Sequence, residues 1–208
     1  MKFILFFSLL LSYLTTNAQT FKPFEGEMTY SVELIHPETK KPKLISFTTI
    51  FTNDTLVRTE SENLALGKQT LIRHLLLSKQ YVLLEYQGSK YAIQQTINKD
   101  TSTTKYIFTA CRGYKRFCGI KAKKIMVNHP NFKAPIAMYY AKTISPKYIG
   151  ILQGLEGLPL KYYLQTEDGL LCYTLRSINE KEIPKGLFLV SKDYEKISFP
   201  DFLERIGK

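Results

Sequence analysis

The sequence has no tryptophan, only three cysteines and only three histidines among its 208 residues. Three cysteines are too few for a disulfide-dense scaffold, and because the number is odd, at least one thiol is free or pairs between chains. His36, His74 and His129 stand apart from one another, and none has a second ligand at metal-binding spacing. We therefore expect no metal ion and no cofactor.

Sequence patterns that mark common catalytic sites are also missing. There is no GxSxG elbow for a serine nucleophile, and no phosphate-cradling glycine loop follows a strand. Acidic residues occur in neighbouring pairs such as Glu60 and Glu62, and a glycosidase needs two carboxylates that face one bond. Alternating glutamates on a strand, however, more often form its solvent-facing side. We expect a protein that is not an enzyme, and a glycan-acting enzyme is the weaker alternative.

Acidic residues are scarce relative to basic ones. The chain has 18 Asp and Glu residues against 29 Lys and Arg residues, which gives a formal net charge of +11. A basic protein inside the cell often binds nucleic acid, whereas an exported one meets anionic lipid headgroups, acidic glycans or acidic proteins. We expect no nucleic-acid partner. A charge that serves solubility alone is the alternative interpretation.

The first residues have the three parts of a secretory signal peptide. Lys2 supplies the positive start, an apolar run follows as far as Leu14, and small residues precede a cleavage point between Ala18 and Gln19. The run is shorter than the roughly 20 apolar residues that span a bilayer. We predict a signal peptide over 1–18 and a mature protein without a transmembrane segment, located in the periplasm or secreted.

The mature part, residues 19–208, has the composition and the patterning of a β protein. Its tyrosines and phenylalanines, 14 and 13 in the whole chain, suit half-buried pleated surfaces. Apolar and polar residues alternate in segments such as 28–34 and 136–140, and short turn signals separate these segments. About ten strands at this spacing predict a single domain, mainly β, built on a curved antiparallel sheet or half-barrel. One or two short helices are predicted, one after Ser145 and one at the C-terminus.

Apolar residues of several predicted strands would line the concave face of this sheet. Because few helices are predicted to cover that face, we expect a groove that the chain does not fill, sized for an acyl chain or an apolar peptide segment. A fully packed core is the alternative. The residues assigned to this apolar ligand site are Tyr30, Val32, Phe47, Phe51, Met138 and Tyr140.

The segment CRGYKRFCGIKAKK contains six basic residues and no acidic one. We predict that Cys111 and Cys118 face each other across a hairpin whose tip is 112–117, which would allow a disulfide; a Cys118–Cys172 pair is the alternative. Several like charges at a tip favour an anionic neighbour, although a solvated hairpin would also carry them. The residues assigned to this anion-binding site are Arg112, Lys115, Arg116, Lys121 and Lys123.

The chain from Cys118 onward resembles a known family. Gly119 precedes a lysine-rich strand, residues 138–143 run into a threonine-containing turn, and Gly157-Leu158-Pro159 leads into the next strand. This order resembles the GLPGLI family and related exported proteins of unknown function in Gram-negative bacteria. The resemblance implies a curved antiparallel sheet similar to that of periplasmic lipoprotein carriers, and it implies no established activity.

These features predict an exported, non-catalytic protein of the bacterial envelope that binds a lipid or another apolar ligand in the concave face of its sheet. The alternative is an interaction module whose core is filled and whose basic hairpin docks an anionic envelope component.

Overall fold

A computed structural model describes residues 21–63, 67–96, 106–152 and 154–207. Strands account for most of these residues. They are β1 (Glu25–Ile35), β2 (Pro42–Asn53), β3 (Leu56–Asn63), β4 (Gly67–His74), β5 (Lys79–Tyr86), β6 (Ser89–Thr96), β7 (Ile107–Phe117), β8 (Ile120–Asn128), β9 (Ile136–Ala141), β10 (Leu158–Thr166), β11 (Gly169–Glu180) and β12 (Glu195–Ser198). The predicted signal peptide lies outside the described residues.

The strands form one open sheet in the order β12-β6-β5-β4-β3-β2-β1-β11-β10-β9-β8-β7. Neighbouring strands are antiparallel except β12, which pairs with β6 in parallel. The end strands β12 and β7 do not pair with each other, so the curved sheet does not close into a barrel. The predicted mainly β fold is therefore confirmed. Strand β12 was not anticipated, because four residues are too short for an alternating pattern.

Helical structure is confined to short pieces, as predicted. The helix α1 (Phe199–Ile206) follows β12, and the hydroxyl of Ser198 caps it by accepting from the Asp201 N–H. Ser145 caps a single 3₁₀ turn, Pro146–Tyr148, and a second 3₁₀ turn spans Lys185–Phe188. None of the helices in the described part of the chain has the length and apolar character needed to cross a membrane.

The strand register defines two faces of the sheet. Met28 lies opposite Ile50, and Tyr30 lies opposite Thr48, so these side chains share one face, which we call the inner face. Phe47 and Phe51 alternate with them and point to the other side, the outer face.

The inner face is covered in two places. Helix α1 packs Phe202 edge-on against Tyr91 of β6, with 5.4 Å between ring centroids. The connection between β9 and β10, which we call the cover loop (residues 142–157, described except for 153), packs on the main core of strands β1, β2, β3 and β8 to β11. The predicted scarcity of helices is thus correct, but an irregular loop covers the core instead.

Candidate functional site

The cover loop places four apolar side chains against the inner face. Tyr148, Ile149, Leu152 and Leu155 are buried and belong to the same cluster as Met28, Tyr30 and Leu160 of the sheet. The loop is closed at its base by a hydrogen bond of 2.8 Å from the Leu158 N–H to the Ile144 carbonyl. Because this loop has no regular structure beyond one 3₁₀ turn, its side chains, not backbone pairing with the sheet, hold it in place.

Tyr148 is the main attachment point of the cover loop. Its hydroxyl donates to the carboxylate of Asp54 at 2.5 Å and accepts from the Phe24 N–H at 3.0 Å. The neighbouring Lys147 forms an ion pair of 2.6 Å with the same carboxylate. Since Asp54 lies in the turn between β2 and β3, these bonds fasten the loop to the end of that hairpin.

A buried arginine lies beneath this attachment point. Arg73 of β4 is opposite Val57 on the inner face and is only 8% exposed. Its Nη2 donates to the backbone carbonyl of Tyr148, whereas its buried Nε has no hydrogen-bond partner in the described ranges. Among the described residues Arg73 forms no ion pair, because the acidic residues near the loop pair with other cations. Buried charges are normally paired, so an unpaired guanidinium here is unusual.

The approach of the loop to Arg73 depends on a glycine. Gly150 has φ +78°, and a Cβ atom at this position would lie 2.2 Å from Nη1 of Arg73. Any larger residue would have to displace either the loop or the guanidinium. Gly150 therefore allows the loop backbone to pack closely against a charged side chain.

Burial and hydrogen bonding set the protonation behaviour of the site. Desolvation lowers the pKa of Arg73, an effect partly offset by Tyr162 nearby, but arginine stays charged at neutral pH. Desolvation raises the pKa of Asp54, but the hydrogen bonds from Lys147 and Tyr148 lower it by more than desolvation raises it. The pKa of Asp54 is therefore lower than usual. Both groups are therefore ionised at neutral pH.

An apolar depression of about 680 Å³ adjoins the base of the cover loop. Its lining includes the apolar residues Phe24, Ile144 and Ile178 together with the charged residues Lys22, Lys142 and Glu180. The ring of Phe24 also packs edge-on against Tyr148, with 6.0 Å between centroids. Tyr148 thus contacts the wall of this depression through its ring, and Arg73 through its carbonyl.

The residues predicted to bind an apolar ligand do not form one surface. Tyr30, Val32, Met138 and Tyr140 are buried at 0–3% exposure on the inner face and help to form the packed core. Phe47 and Phe51 lie on the outer face, where Phe47 is 53% exposed.

The predicted disulfide is not formed, and the predicted hairpin tip is corrected. Cys111, Cys118 and Cys172 are free thiols. The turn between β7 and β8 is Cys118-Gly119, with Phe117 opposite Ile120, so residues 112–117 belong to strand β7. A turn at Tyr-Lys would need residues that tolerate positive φ, whereas Gly119 adopts φ +80° readily.

After this correction, three of the five predicted anion-binding residues share one side of the β7–β8 pair. Arg116 lies opposite Lys121, and Lys123 lies opposite Tyr114, all on the inner side of the β7–β8 pair. Lys115 points to the outer side, opposite Ala122, and Arg112 lies in an irregularity between Ala110 and Tyr114.

In the described ranges there is no group of three or more His, Cys, Asp or Glu side chains that could hold a metal ion. Acidic residues from the neighbouring pairs in the sequence form ion pairs with basic side chains. Glu60 pairs with Arg58 and Lys68, and Glu27 forms an ion pair with Lys181.

Arg73 and Tyr148 are functional candidates that the sequence alone does not reveal. One signal is present in the apolar strand segment LIRHLLL. Arg73 lies two residues after Leu71, so both side chains are on the same face of the strand. A basic residue on an apolar strand face calls for a partner, but the chain position of that partner, 75 residues away, cannot be read from local pattern.

Among known proteins, similarity to this chain is found in solved structures. No protein-family model matches the chain, and no curated protein is significantly similar to it. Among solved structures, the crystal structure of MucB is similar with a TM-score of 0.41 and 14% sequence identity. The match covers 81% of this chain and 58% of the MucB chain, so the chain spans less than two thirds of that protein's length.

Proposed function

We propose that this chain is an exported, non-catalytic binding protein that holds an apolar ligand with an acidic headgroup on the inner face of its sheet. The headgroup pairs with Arg73, and the apolar part lies in the depression bounded by Phe24, Ile144 and Ile178. The observation that carries the proposal is the buried guanidinium of Arg73, which has an unpartnered Nε and no carboxylate partner among the described residues.

The energetics of burial support an anionic ligand. An ion removed from water loses several kcal/mol of solvation, and a counter-charge with good hydrogen bonds can restore most of that loss. Among the residues that the structure describes, Arg73 has one hydrogen bond, to a neutral carbonyl, so a carboxylate or phosphate would be a stronger partner than this one. The protein therefore holds a cation that is better satisfied with ligand than without.

The position of Tyr148 supports a coupling between the depression and Arg73. Because Tyr148 contacts both Phe24 and Arg73, rotation of the cover loop away from the sheet would join the apolar depression to the guanidinium. The volume of the depression, about 680 Å³, lies in the range of small-molecule sites.

Export is the second part of the proposal, and it rests on the N-terminal sequence and on the resemblance to GLPGLI-type proteins. N-terminal sequencing of protein recovered from the envelope of the producing cell is expected to begin at or close to Gln19. Recovery of protein that still begins with Met1 would remove this part of the proposal.

The ligand is tested by competition between laurate or dodecanol and a dansyl-labelled fatty acid bound to the delipidated protein. We expect laurate to bind at least about tenfold more tightly than dodecanol, because a charge-assisted hydrogen bond contributes about 1.5–3 kcal/mol. Arg73→Leu should remove this preference, and Ile178→Asp should weaken both ligands.

Two substitutions on the outer face serve as controls. Arg58→Leu repeats the chemical change on the adjacent strand, where Arg58 contacts Glu60 and the Leu187 carbonyl instead. Phe47→Asp places a charge on the exposed outer phenylalanine. Both should leave the competition unchanged. Absence of saturable binding, or a preference for laurate that survives Arg73→Leu, would remove the proposal.

A further inference from the structure

The two edges of the sheet differ in length and in cover. At one edge, β12 has four residues and is followed by α1, which packs on β12 and β6. At the other edge, β7 has 11 residues, and no described strand pairs with the edge of β7 that faces away from β8. An edge strand presents unpaired backbone N–H and C=O groups that a further strand can bind.

Basic side chains surround this open edge. Residues 106–128 contain no acidic residue. None of the six basic side chains of the β7–β8 pair forms an ion pair within the part of the chain that the structure describes. Lys121 lies over the Tyr114 ring at 4.3 Å, and Lys115 lies over Phe117 at 5.5 Å, contacts that leave the positive charges uncompensated.

The regular part of this edge is short and has a defined order of side chains. The irregularity between Ala110 and Tyr114 divides the ladder with β8 into two short regular sections, Ile107–Ala110 and, beside the basic side chains, Tyr114–Phe117. Along this section, Arg116 and Tyr114 point to the inner side, and Lys115 between them points to the outer side.

We propose that β7 binds an extended acidic peptide segment of a partner protein, which adds a thirteenth strand beside residues 114–117. Strand addition supplies the affinity through backbone hydrogen bonds, and the side chains supply the specificity. Because cross-strand neighbours lie side by side, the segment would place consecutive acidic residues beside Arg116 and Lys115. An apolar residue would follow beside Tyr114.

The distribution of charge favours a peptide over a membrane surface. Arg116 and Lys121 lie on one side of the sheet, and Lys115 lies on the other. A flat anionic membrane can contact only one of these sides, whereas a strand in the plane of the sheet reaches both. A membrane also offers no partners for the open backbone groups of the edge.

Lysines and irregularities also occur on edges that resist strand addition. An edge of that kind would bind no peptide, whatever its charge, so binding experiments separate the two roles.

The test uses fluorescence anisotropy with a fluorescein-labelled peptide of three Glu-Glu-Val repeats and the full mature protein. We expect saturable binding that weakens at least tenfold when alternate peptide nitrogens are methylated, because methylation removes the backbone donors. Replacing Glu by Lys in the peptide should abolish binding. Hydrogen exchange should show new protection of amides in β7.

Matched charge reversals locate the site. The double variant Lys115→Glu, Arg116→Glu should lose at least tenfold in affinity for the acidic peptide. The control double variant Lys41→Glu, Lys43→Glu makes the same change in exposed residues near the start of β2 and should lose less than threefold. Both variants are first checked for unchanged thermal unfolding.

Four results would overturn the proposal: no saturable binding, equal binding of the methylated peptide, equal losses in the two double variants, or phosphatidylglycerol vesicles that compete fully with the peptide. The comparison of methylated and unmethylated peptides needs only the wild-type protein, so it decides the question even if a variant misfolds.

Discussion

Replacing Arg73 with leucine is expected to leave the free energy of unfolding unchanged or to raise it, although the residue is buried under the cover loop. The native guanidinium has lost its hydration, and within the described part of the chain it has a single hydrogen bond, to the Tyr148 carbonyl. Loss of hydration costs several kcal/mol for a buried ion, of which the unpartnered Nε accounts for about 1–3 kcal/mol. Leucine removes this cost.

The substitution also has unfavourable consequences, and they are smaller. It removes a charge-assisted hydrogen bond of about 1.5–3 kcal/mol and leaves one buried carbonyl unsatisfied, at about 1–3 kcal/mol. The free energy of unfolding should therefore change by about 0 to +2 kcal/mol on Arg73→Leu, where a positive value means a more stable protein. Arg58→Leu breaks an ion pair of 2.8 Å and a hydrogen bond of 3.0 Å on the outer face, so it should lower the stability by about 1–3 kcal/mol.

Urea unfolding of the three proteins, followed by circular dichroism, measures these differences. Laurate adds a second comparison, because a ligand at 100 times its dissociation constant stabilises the native state by about 2.7 kcal/mol. For a domain of this size that corresponds to about 5–11 °C in the unfolding temperature. The wild type should show this shift, and Arg73→Leu should not show it at the same concentration.

A loss of more than about 3 kcal/mol for Arg73→Leu would refute the reasoning, because breaking a satisfied buried pair has that magnitude. It would mean that the guanidinium is already paired within the protein, and the argument for an anionic ligand would fail.

Three further outcomes are expected. Gly150→Ala should lower the free energy of unfolding more than Gly88→Ala, because both glycines have φ +78° but only the first would place its Cβ against another side chain; equal urea midpoints would contradict this. The lowered pKa of Asp54 gives stability that is present above its unfolded pKa of about 3.9 and is lost as pH falls through the lower folded value. The difference in urea midpoint between wild type and Asp54→Asn should therefore shrink below about pH 4, and a difference independent of pH would contradict the assignment. In native protein, dithionitrobenzoate should label the exposed Cys118 and leave the buried Cys172 unreacted until urea is added, and mass mapping without reduction should find no disulfide.

The local features of this fold could be predicted because their causes are local. Alternation along 28–34 and 136–140 reflects strands with one buried face, which needs no knowledge of the partner strand. Hydrogen bonds and φ restrictions within a few residues produce the cap at Ser145, which Pro146 follows, and the short C-terminal helix. Both predictions are confirmed.

The arrangement of the candidate site could not be predicted in the same way. Tyr30 and Phe47 belong to equally apolar patterns, and only the register of β1 against β2 puts them on opposite faces. A shift of one residue in pairing reverses every side chain of a strand. The position of the β7–β8 turn is a second example. Charge and cysteine spacing predict a tip at 112–117, whereas the turn forms at Gly119.

The sequence by itself determined the β composition and the concentration of positive charge around residues 112–124. It also predicts the export signal. The tertiary structure alone decided what covers the inner face and what lies beneath that cover. An irregular loop has no periodic pattern, and Arg73 meets the Tyr148 carbonyl across 75 residues of chain. Contacts at that separation depend on how the strands between them pair, so they are a property of the folded sheet.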